Sequence, residues 1–320
     1  MKKKRSDFLR LVAAGGLAAG VPILKNRSLS MSRMSEERIP RREYKNGEML
    51  SIVGFGGILC IGRSLRETSD LVGEVHDRGI NYFDVAPSYG GGEAEEKLGP
   101  ALQPYRSTVF LACKTMRRDA KGAQEELERS LKIMRTDHFD LYQLHAVTTI
   151  KEVDEIFDDR GAIGMTVRAR DKGLVRYIGF SAHSEEAARA MLDRFSFDSI
   201  LFPFNIVCTA KGHFGPKVME LARAKGVARL ALKAMAYSPW NLKGEHPWPK
   251  CWYRPIEDPE LASLALRFTL SEDVTAAIPP GEEALFRIAM EGAAQFTPLT
   301  EDEKKDLVDR IKDVQPLFRT

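Results

Sequence analysis

The sequence predicts an α/β protein built as a single (β/α)8 TIM barrel, and three observations support this fold class. The chain has 320 residues, of which 43% are hydrophobic and 29% charged, an ordinary composition for a globular protein. Beyond residue 48, apolar runs alternate with amphipathic stretches, a pattern typical of parallel strands joined by crossover helices. Eight such runs can be counted, and eight strand–helix units in a chain of this length are expected to close into one barrel.

The predicted strands are spaced so that each is followed by room for one helix. In chain order they span residues 50–54, 81–86, 109–114, 139–145, 175–181, 199–205, 228–235 and 274–279. Stretches with apolar residues three and four positions apart lie between them, for example at 69–78, 122–134 and 185–195, and predict helices. Two pieces fall outside this count, a hairpin at 42–49 and a final charged helix at 300–314. We therefore expect one domain at 40–318, with an N-terminal hairpin below the barrel and a C-terminal extra helix.

A long segment at 238–259 interrupts the regular alternation. It contains five prolines and all three tryptophans, Trp240, Trp248 and Trp252. Loops of this length in a compact domain usually bind something, so these aromatic side chains are expected to wall a substrate pocket. A loop that packs on its own aromatic residues is the alternative.

Residues 1–32 are interpreted as an export signal and linker. A basic cluster at 2–5 precedes an apolar run at 8–24 and a polar stretch, which is the layout of a signal peptide. The run is too short and too rich in Gly and Ala to predict a stable membrane span. Residues 4–10 resemble a twin-arginine signal, with Ser6 at the position of the second arginine. This predicts a periplasmic or exported protein, and a cytoplasmic location is the alternative.

Charge and cysteine content argue against several classes of function. The net charge is only +3, and part of it lies in the N-terminal basic cluster, so nucleic-acid binding is not expected. The four cysteines, Cys60, Cys113, Cys208 and Cys251, form no C-x-x-C pair. The sequence therefore predicts neither a metal site nor a disulfide framework.

Four polar residues are placed where barrel enzymes carry their chemistry, at the C-terminal ends of strands. Asp84 lies near the end of the second predicted strand and Tyr89 follows in the next loop, while Lys114 and His145 end the third and fourth strands. Together with the glycines of segment 54–57, these residues resemble the aldo-keto reductase pattern, and the resemblance runs from about residue 41 to 317. It implies reduction of a carbonyl to an alcohol with a nicotinamide cofactor.

The residue types suit that chemistry. A carbonyl that accepts hydride develops negative charge on oxygen and must receive a proton, and Tyr89 is the predicted donor. A free phenol has a pKa near 10, which the Lys114 ammonium is expected to lower. Asp84 would hold Lys114 in place, and His145 would hydrogen-bond the carbonyl oxygen.

The resemblance also implies the cofactor contacts, with several departures from the family pattern. The predicted cofactor-binding residues are Gly56, Ser181, His183, Lys233, Tyr237, Gly281 and Arg287. Ala182 and Leu201 stand where the family usually has amides that hold the nicotinamide. On the seventh strand two registers are open, one with Tyr237 and one with Lys233 at the mouth, and a solvent-exposed Lys233 is a further alternative.

The segment after the eighth strand bears on the choice of cofactor. It resembles the family's phosphate loop, but Glu282 and Glu283 precede the only nearby cation, Arg287. NADPH (NADP) is the prediction implied by the family, and NADH (NAD) is the competing cofactor because the two glutamates would repel a 2′-phosphate.

Two other functions remain open at this stage. A lysine at a strand end could form a Schiff base, which would make the protein an aldolase acting through Lys114. The changes at Ala182 and Leu201 could instead mark a non-catalytic binding barrel. In the main interpretation the partner is a small-molecule carbonyl substrate, and the sequence indicates neither its identity nor an oligomeric state.

Overall fold

The computed structural model describes residues 38–241 and 246–320. The predicted export signal lies outside these residues, so export stays a prediction. In the part of the chain that is described, no helix is long and apolar enough to cross a membrane.

An antiparallel hairpin opens the described chain. Strands β1 (Arg41–Lys45) and β2 (Glu48–Ser51) are joined through Asn46 and Gly47, both in the left-handed region with φ of 52° and 78°. The Lys45 ammonium lies 2.6 Å from the Asp198 carboxylate, which precedes a barrel strand, so the hairpin covers the N-terminal ends of the strands. This confirms the predicted hairpin.

Eight parallel strands follow, each paired with the next along the chain. They are β3 (Phe55–Gly56), β4 (Tyr82–Asp84), β5 (Phe110–Thr115), β6 (Phe139–Val147), β7 (Val175–Ala182), β8 (Ser199–Pro203), β9 (Ala228–Leu232) and β12 (Ala276–Ile278). A bridge between Val53 and Ala277 joins the last strand to the segment before the first. The described residues thus form a (β/α)8 barrel, and the predicted fold class is confirmed.

The predicted position of the first strand was wrong. The apolar run at 50–54 is shared between two elements, because Leu50 and Ser51 belong to hairpin strand β2 and the barrel strand begins only at Phe55. The Ser51 backbone N–H donates to Asn81 Oδ1 at 2.7 Å, which ties the end of the hairpin to the residue before β4. Burial in the hairpin and burial in the barrel produce the same apolar signal, so the sequence pattern did not separate them.

Helices surround the barrel. They are α1 (Leu65–Asp77), α2 (Glu93–Leu102), α3 (Ala120–Met134), α4 (Ile150–Phe157), α5 (Ala162–Asp171), α6 (Glu185–Arg194), α7 (Ile206–Gly212), α8 (Pro216–Ala224), α9 (Pro259–Ser271), α10 (Glu283–Ala294) and α11 (Glu301–Arg310). Helices α1, α4 and α11 begin with capping boxes built on Ser64, Thr149 and Thr300, which satisfy backbone N–H groups of the first turn. The predicted final helix is confirmed, with an earlier end.

The barrel interior is filled by side chains, as in other barrels of this type. Tyr82, Phe110, Leu141 and Leu201 pack together there with residues of the neighbouring strands. Tyr44 of the hairpin closes the bottom, with its ring 5.1 Å from that of Phe110. Leu201 is therefore part of the packed core.

The long tryptophan segment is tied down at both ends. Strand β10 (Ala236–Ser238) pairs with β11 (Arg254–Pro255). Trp240 stacks on His246 at 4.2 Å and donates to the Cys251 carbonyl at 2.9 Å, so it packs within its own loop. Trp252, in contrast, is 61% exposed. Trp240 therefore fits the alternative of a loop that packs on its own aromatic residues, and the substrate-pocket wall stays a prediction.

Candidate active site

The four residues predicted to be catalytic lie together at the C-terminal ends of neighbouring strands. Asp84 ends β4, Lys114 lies in β5 and His145 lies near the end of β6, while Tyr89 begins the short 3-10 helix Tyr89–Gly92. Lys114 Nζ forms an ion pair with Asp84 and donates to the Tyr89 hydroxyl at 3.2 Å. The Tyr89 and His145 rings meet edge to face, 5.8 Å apart.

The turn after Tyr89 depends on glycine. Gly90, Gly91 and Gly92 follow it with φ of 62°, 65° and 107°, a backbone region that other residues enter only at a cost. Three successive left-handed residues bend the chain back toward helix α2, which leaves the Tyr89 side chain facing Lys114.

Two supporting residues were missed by the sequence interpretation. Gln143 Nε2 donates to Asp84 Oδ2 at 3.0 Å, and the Tyr82 hydroxyl approaches the same oxygen at 3.3 Å. Each stands two positions before a predicted catalytic residue on the same strand, and alternate residues of a strand share one face. That spacing is the signal that could have identified them.

The electrostatics of the site separate the roles of these side chains. Burial acts to lower the pKa of Lys114, but the Asp84 carboxylate and Tyr89 outweigh it and hold that pKa above its ordinary value. Burial raises the pKa of Tyr89 by more than the Lys114 ammonium lowers it. Burial, followed by nearby positive groups, pushes the pKa of His145 well below its usual range. Near neutral pH the site thus presents a cationic Lys114, a protonated Tyr89 and a neutral His145.

This result corrects the expectation that Lys114 brings the pKa of Tyr89 below 10. In the folded protein the phenol is desolvated, and loss of water disfavours its charged form more strongly than one ammonium stabilises it. Lys114 moderates the increase in pKa and does not reverse it.

Three predicted cofactor contacts lie at the ends of β7 and β9. Ser181 is buried, and its Oγ accepts a hydrogen bond from the Ala146 backbone at 2.8 Å. Lys233 directly follows β9 and is buried, with Nζ 3.0 Å from His183 Nε2. The alternative of a solvent-exposed Lys233 was therefore wrong. Tyr237 lies four residues further on, in β10, beneath the Arg254 guanidinium.

The predicted phosphate corner lies where β12 meets the start of the barrel. Gly281 packs so closely on Ile58 that a Cβ there would lie 2.4 Å from its Cγ2, and Ile58 follows Gly56 in the 3-10 helix Gly57–Cys60. Arg287 forms a two-pronged ion pair with Glu74 at 2.5 and 2.9 Å and also pairs with Glu283. These carboxylates already neutralise the cation that the sequence assigned to a phosphate.

A cation that the sequence did not single out lies in the same corner. The Lys250 backbone N–H donates to Glu282 Oε1 at 2.8 Å, and its Nζ lies 3.5 Å from the Leu59 carbonyl. Among the described residues no carboxylate lies within ion-pair distance of Lys250 Nζ. Only the folding of the tryptophan segment across the barrel brings Lys250 here, so no local signal pointed to it.

The barrel carries the four predicted catalytic residues together at the C-terminal ends of its strands, where barrel enzymes have their active sites. Comparison with known proteins gives the family: the model of the aldo/keto reductase family matches residues 55–252, more than half of the chain. The protein belongs to the aldo/keto reductase family and is an oxidoreductase.

Individual relatives agree with this assignment. An uncharacterized oxidoreductase of Bacillus subtilis, YqkF, is 25% identical over 292 residues, which cover 82% of this chain and 93% of that protein. The B. subtilis aldo-keto reductase YhdN is 32% identical over 167 residues, 48% of each chain. Among solved structures, the holo form of an aldo-keto reductase from Bacillus halodurans shares the fold with a TM-score of 0.67 at 24% identity, over 85% of this chain and 96% of that one.

Proposed function

We propose that the protein reduces an aldehyde, ketone or sugar carbonyl to the alcohol with NAD(P)H, and that Tyr89 is the general acid. The observation that carries this proposal is the 3.2 Å contact between the Tyr89 hydroxyl and the Lys114 ammonium, beside His145. A protonated phenol, a fixed cation and a neutral imidazole at one mouth are the groups that a carbonyl gaining a proton requires.

The roles of the residues follow from their charges. The bound cofactor supplies the hydride. Tyr89 gives its proton to the carbonyl oxygen, and the Lys114 ammonium stabilises the phenolate that remains. Asp84 keeps Lys114 charged and in place, while Gln143 orients Asp84 through its amide. Neutral His145 hydrogen-bonds the carbonyl oxygen and turns it toward Tyr89.

The residues present fit a nicotinamide cofactor, with a changed set of contacts. Ser181 Oγ accepts one hydrogen bond and keeps its own proton to donate, so it can hold the carboxamide of the nicotinamide. Ala182 and Leu201 have no polar side-chain atom for this contact. Gly56, Gly281 and Lys250 border the corner proposed for the adenosine phosphates. Arg287 is already paired with Glu74 and Glu283, so Lys250 is the cation proposed to bind the 2′-phosphate and favour NADPH. NADH is the competing cofactor if Lys250 does not contact that phosphate.

The Schiff-base alternative is less well supported by the geometry. An amine must be uncharged to attack a carbonyl, whereas the ion pair with Asp84 holds the pKa of Lys114 above its ordinary value. A binding barrel without catalysis has no observation in its favour beyond Ala182 and Leu201.

Replacement of Tyr89 by phenylalanine tests the proposal. We expect Tyr89→Phe to lower kcat by about 10²- to 10⁴-fold, the usual contribution of a general acid, with little change in cofactor affinity followed by tryptophan fluorescence. Tyr105→Phe, which removes a hydroxyl outside the tetrad, is the matched control. A Tyr89→Phe enzyme that keeps most of its activity would exclude Tyr89 as the acid, and wild-type protein that binds neither NADPH nor NADH would contradict the whole proposal.

A further inference from the structure

Lys233 is a buried amine without a counter-ion in the part of the chain that the structure describes. Burial lowers its pKa to about 8, so it is mainly an ammonium near neutral pH. The residue is only 7% exposed, and no carboxylate of the described residues lies within ion-pair distance of Nζ. Its backbone also takes a left-handed φ of 63°. Such strain at a non-glycine residue is costly and is concentrated at functional sites.

The neighbours of Lys233 cannot supply the missing negative charge. His183 accepts from Nζ through Nε2, and burial followed by the charge of Lys233 lowers the pKa of His183 to about 3, so this imidazole is neutral. Burial raises the pKa of the nearby Cys208 and keeps it a thiol. The rings of Trp252 and Phe318 lie 5.3 and 6.0 Å from Nζ. Aromatic faces attract a cation but do not neutralise it.

Lys233 shares the mouth with the proton-transfer centre. Burial is the largest cause of the lowered pKa of His145, and the charges of Lys114, Arg118 and Lys233 are among the others. Two of these cations already have partners: Lys114 pairs with Asp84, and Arg118 pairs with Glu152 at 2.8 Å. Within the described residues, Lys233 is the member of the set that remains available to an anion.

We propose that Lys233 binds a carboxylate of the substrate, so that the preferred substrates are aldehyde or keto acids whose carbonyl lies at Tyr89 and His145. This inference rests on the proposed carbonyl reduction. A single ammonium between two aromatic faces matches a monoanion on a carbon skeleton, because the rings of Trp252 and Phe318 can pack on the apolar part. A phosphate dianion of the cofactor would normally be held by several donors.

The test compares two aldehydes that differ in charge, 4-carboxybenzaldehyde and its methyl ester. We expect wild-type kcat/KM to favour the acid by about 10- to 100-fold, the usual range for a charge-assisted hydrogen bond. In Lys233→Met this ratio is expected to fall close to one, mainly through a higher KM for the acid, and Lys233→Arg should restore part of it. Lys225→Met is the control, since Lys225 pairs with Asp193 at 3.1 Å on the outside of the barrel and should keep the wild-type ratio.

Three outcomes would overturn the inference. One is equal use of acid and ester by the wild type. Another is an unchanged ratio in Lys233→Met, which would leave Lys233 a packing role. The third is an equal loss for both aldehydes together with weaker NADPH binding, which would assign Lys233 to the cofactor.

A binding measurement separates this inference from the proposed function. Benzoate and benzamide are titrated into wild-type protein and followed by tryptophan fluorescence, which requires neither turnover nor a folded variant. Benzoate binding at least tenfold tighter than benzamide binding supports the anion site even if neither aldehyde is reduced, a result that would contradict only the reductase proposal. Equal affinity for the two probes would refute the anion site while leaving carbonyl reduction intact.

Discussion

Replacing Lys114 by methionine is expected to destabilise the fold by about 3–5 kcal/mol, because it leaves a buried carboxylate without its cation. Asp84 is 2% exposed and Lys114 is fully buried. In the variant Asp84 keeps hydrogen bonds from Gln143 at 3.0 Å and Tyr82 at 3.3 Å. These neutral donors solvate the carboxylate in part but do not compensate its charge.

A double-mutant cycle separates the ion pair from other effects of the substitution. Asp84→Asn leaves the opposite charge unpaired, whereas Asp84→Asn/Lys114→Met removes both charges. The double variant should therefore cost less than the sum of the single variants, by about 1–3 kcal/mol. The free energy of unfolding is measured by urea titration at pH 7, followed by intrinsic fluorescence.

A Lys114→Met loss below about 1 kcal/mol at pH 7, or single-variant losses that simply add, would refute a strongly coupled buried pair.

Two further predictions concern packing and protonation. Gly281→Ala should lower the free energy of unfolding by about 1–3 kcal/mol, since its Cβ would lie 2.4 Å from the stiff Ile58 side chain. The control Gly164→Ala, inside helix α5, should raise the free energy of unfolding by up to about 1 kcal/mol. Urea unfolding measures both variants, and equal effects would contradict the contact between Gly281 and Ile58. Burial and the charge of Lys233 hold the pKa of His183 at about 3 in the folded protein, whereas the same side chain in the unfolded chain takes up a proton below about pH 6.5. The free energy of unfolding therefore falls as the pH decreases from about 6.5 toward 3. Between pH 7 and 5 the wild type should lose about 2 kcal/mol more than His183→Gln, and parallel pH profiles would show that this histidine does not titrate differently on folding.

The sequence by itself determined the barrel and the strand-end positions of the predicted catalytic residues, since both depend on short-range patterns. Each barrel strand carries its own apolar run, so eight runs separated by helical periodicity were sufficient for the fold class. Asp84, Lys114 and His145 stand at the ends of such runs, and parallel strands bring their C-terminal ends to one mouth whatever the details of packing. The same alternation places Gln143 and Tyr82 beside Asp84.

Only the tertiary structure decided what surrounds these residues. Whether Arg287 is available to a phosphate depends on Glu74, more than 200 residues away in the chain, and Lys250 reaches the same corner only because its loop crosses the barrel. The pKa of Tyr89 rises because burial outweighs the Lys114 ammonium. Neither the depth of burial nor the distance to the ammonium can be read from positions in the sequence. The same is true of Lys233, which is buried and has no carboxylate partner among the residues that the structure describes, because desolvation and pairing are set by neighbours in space.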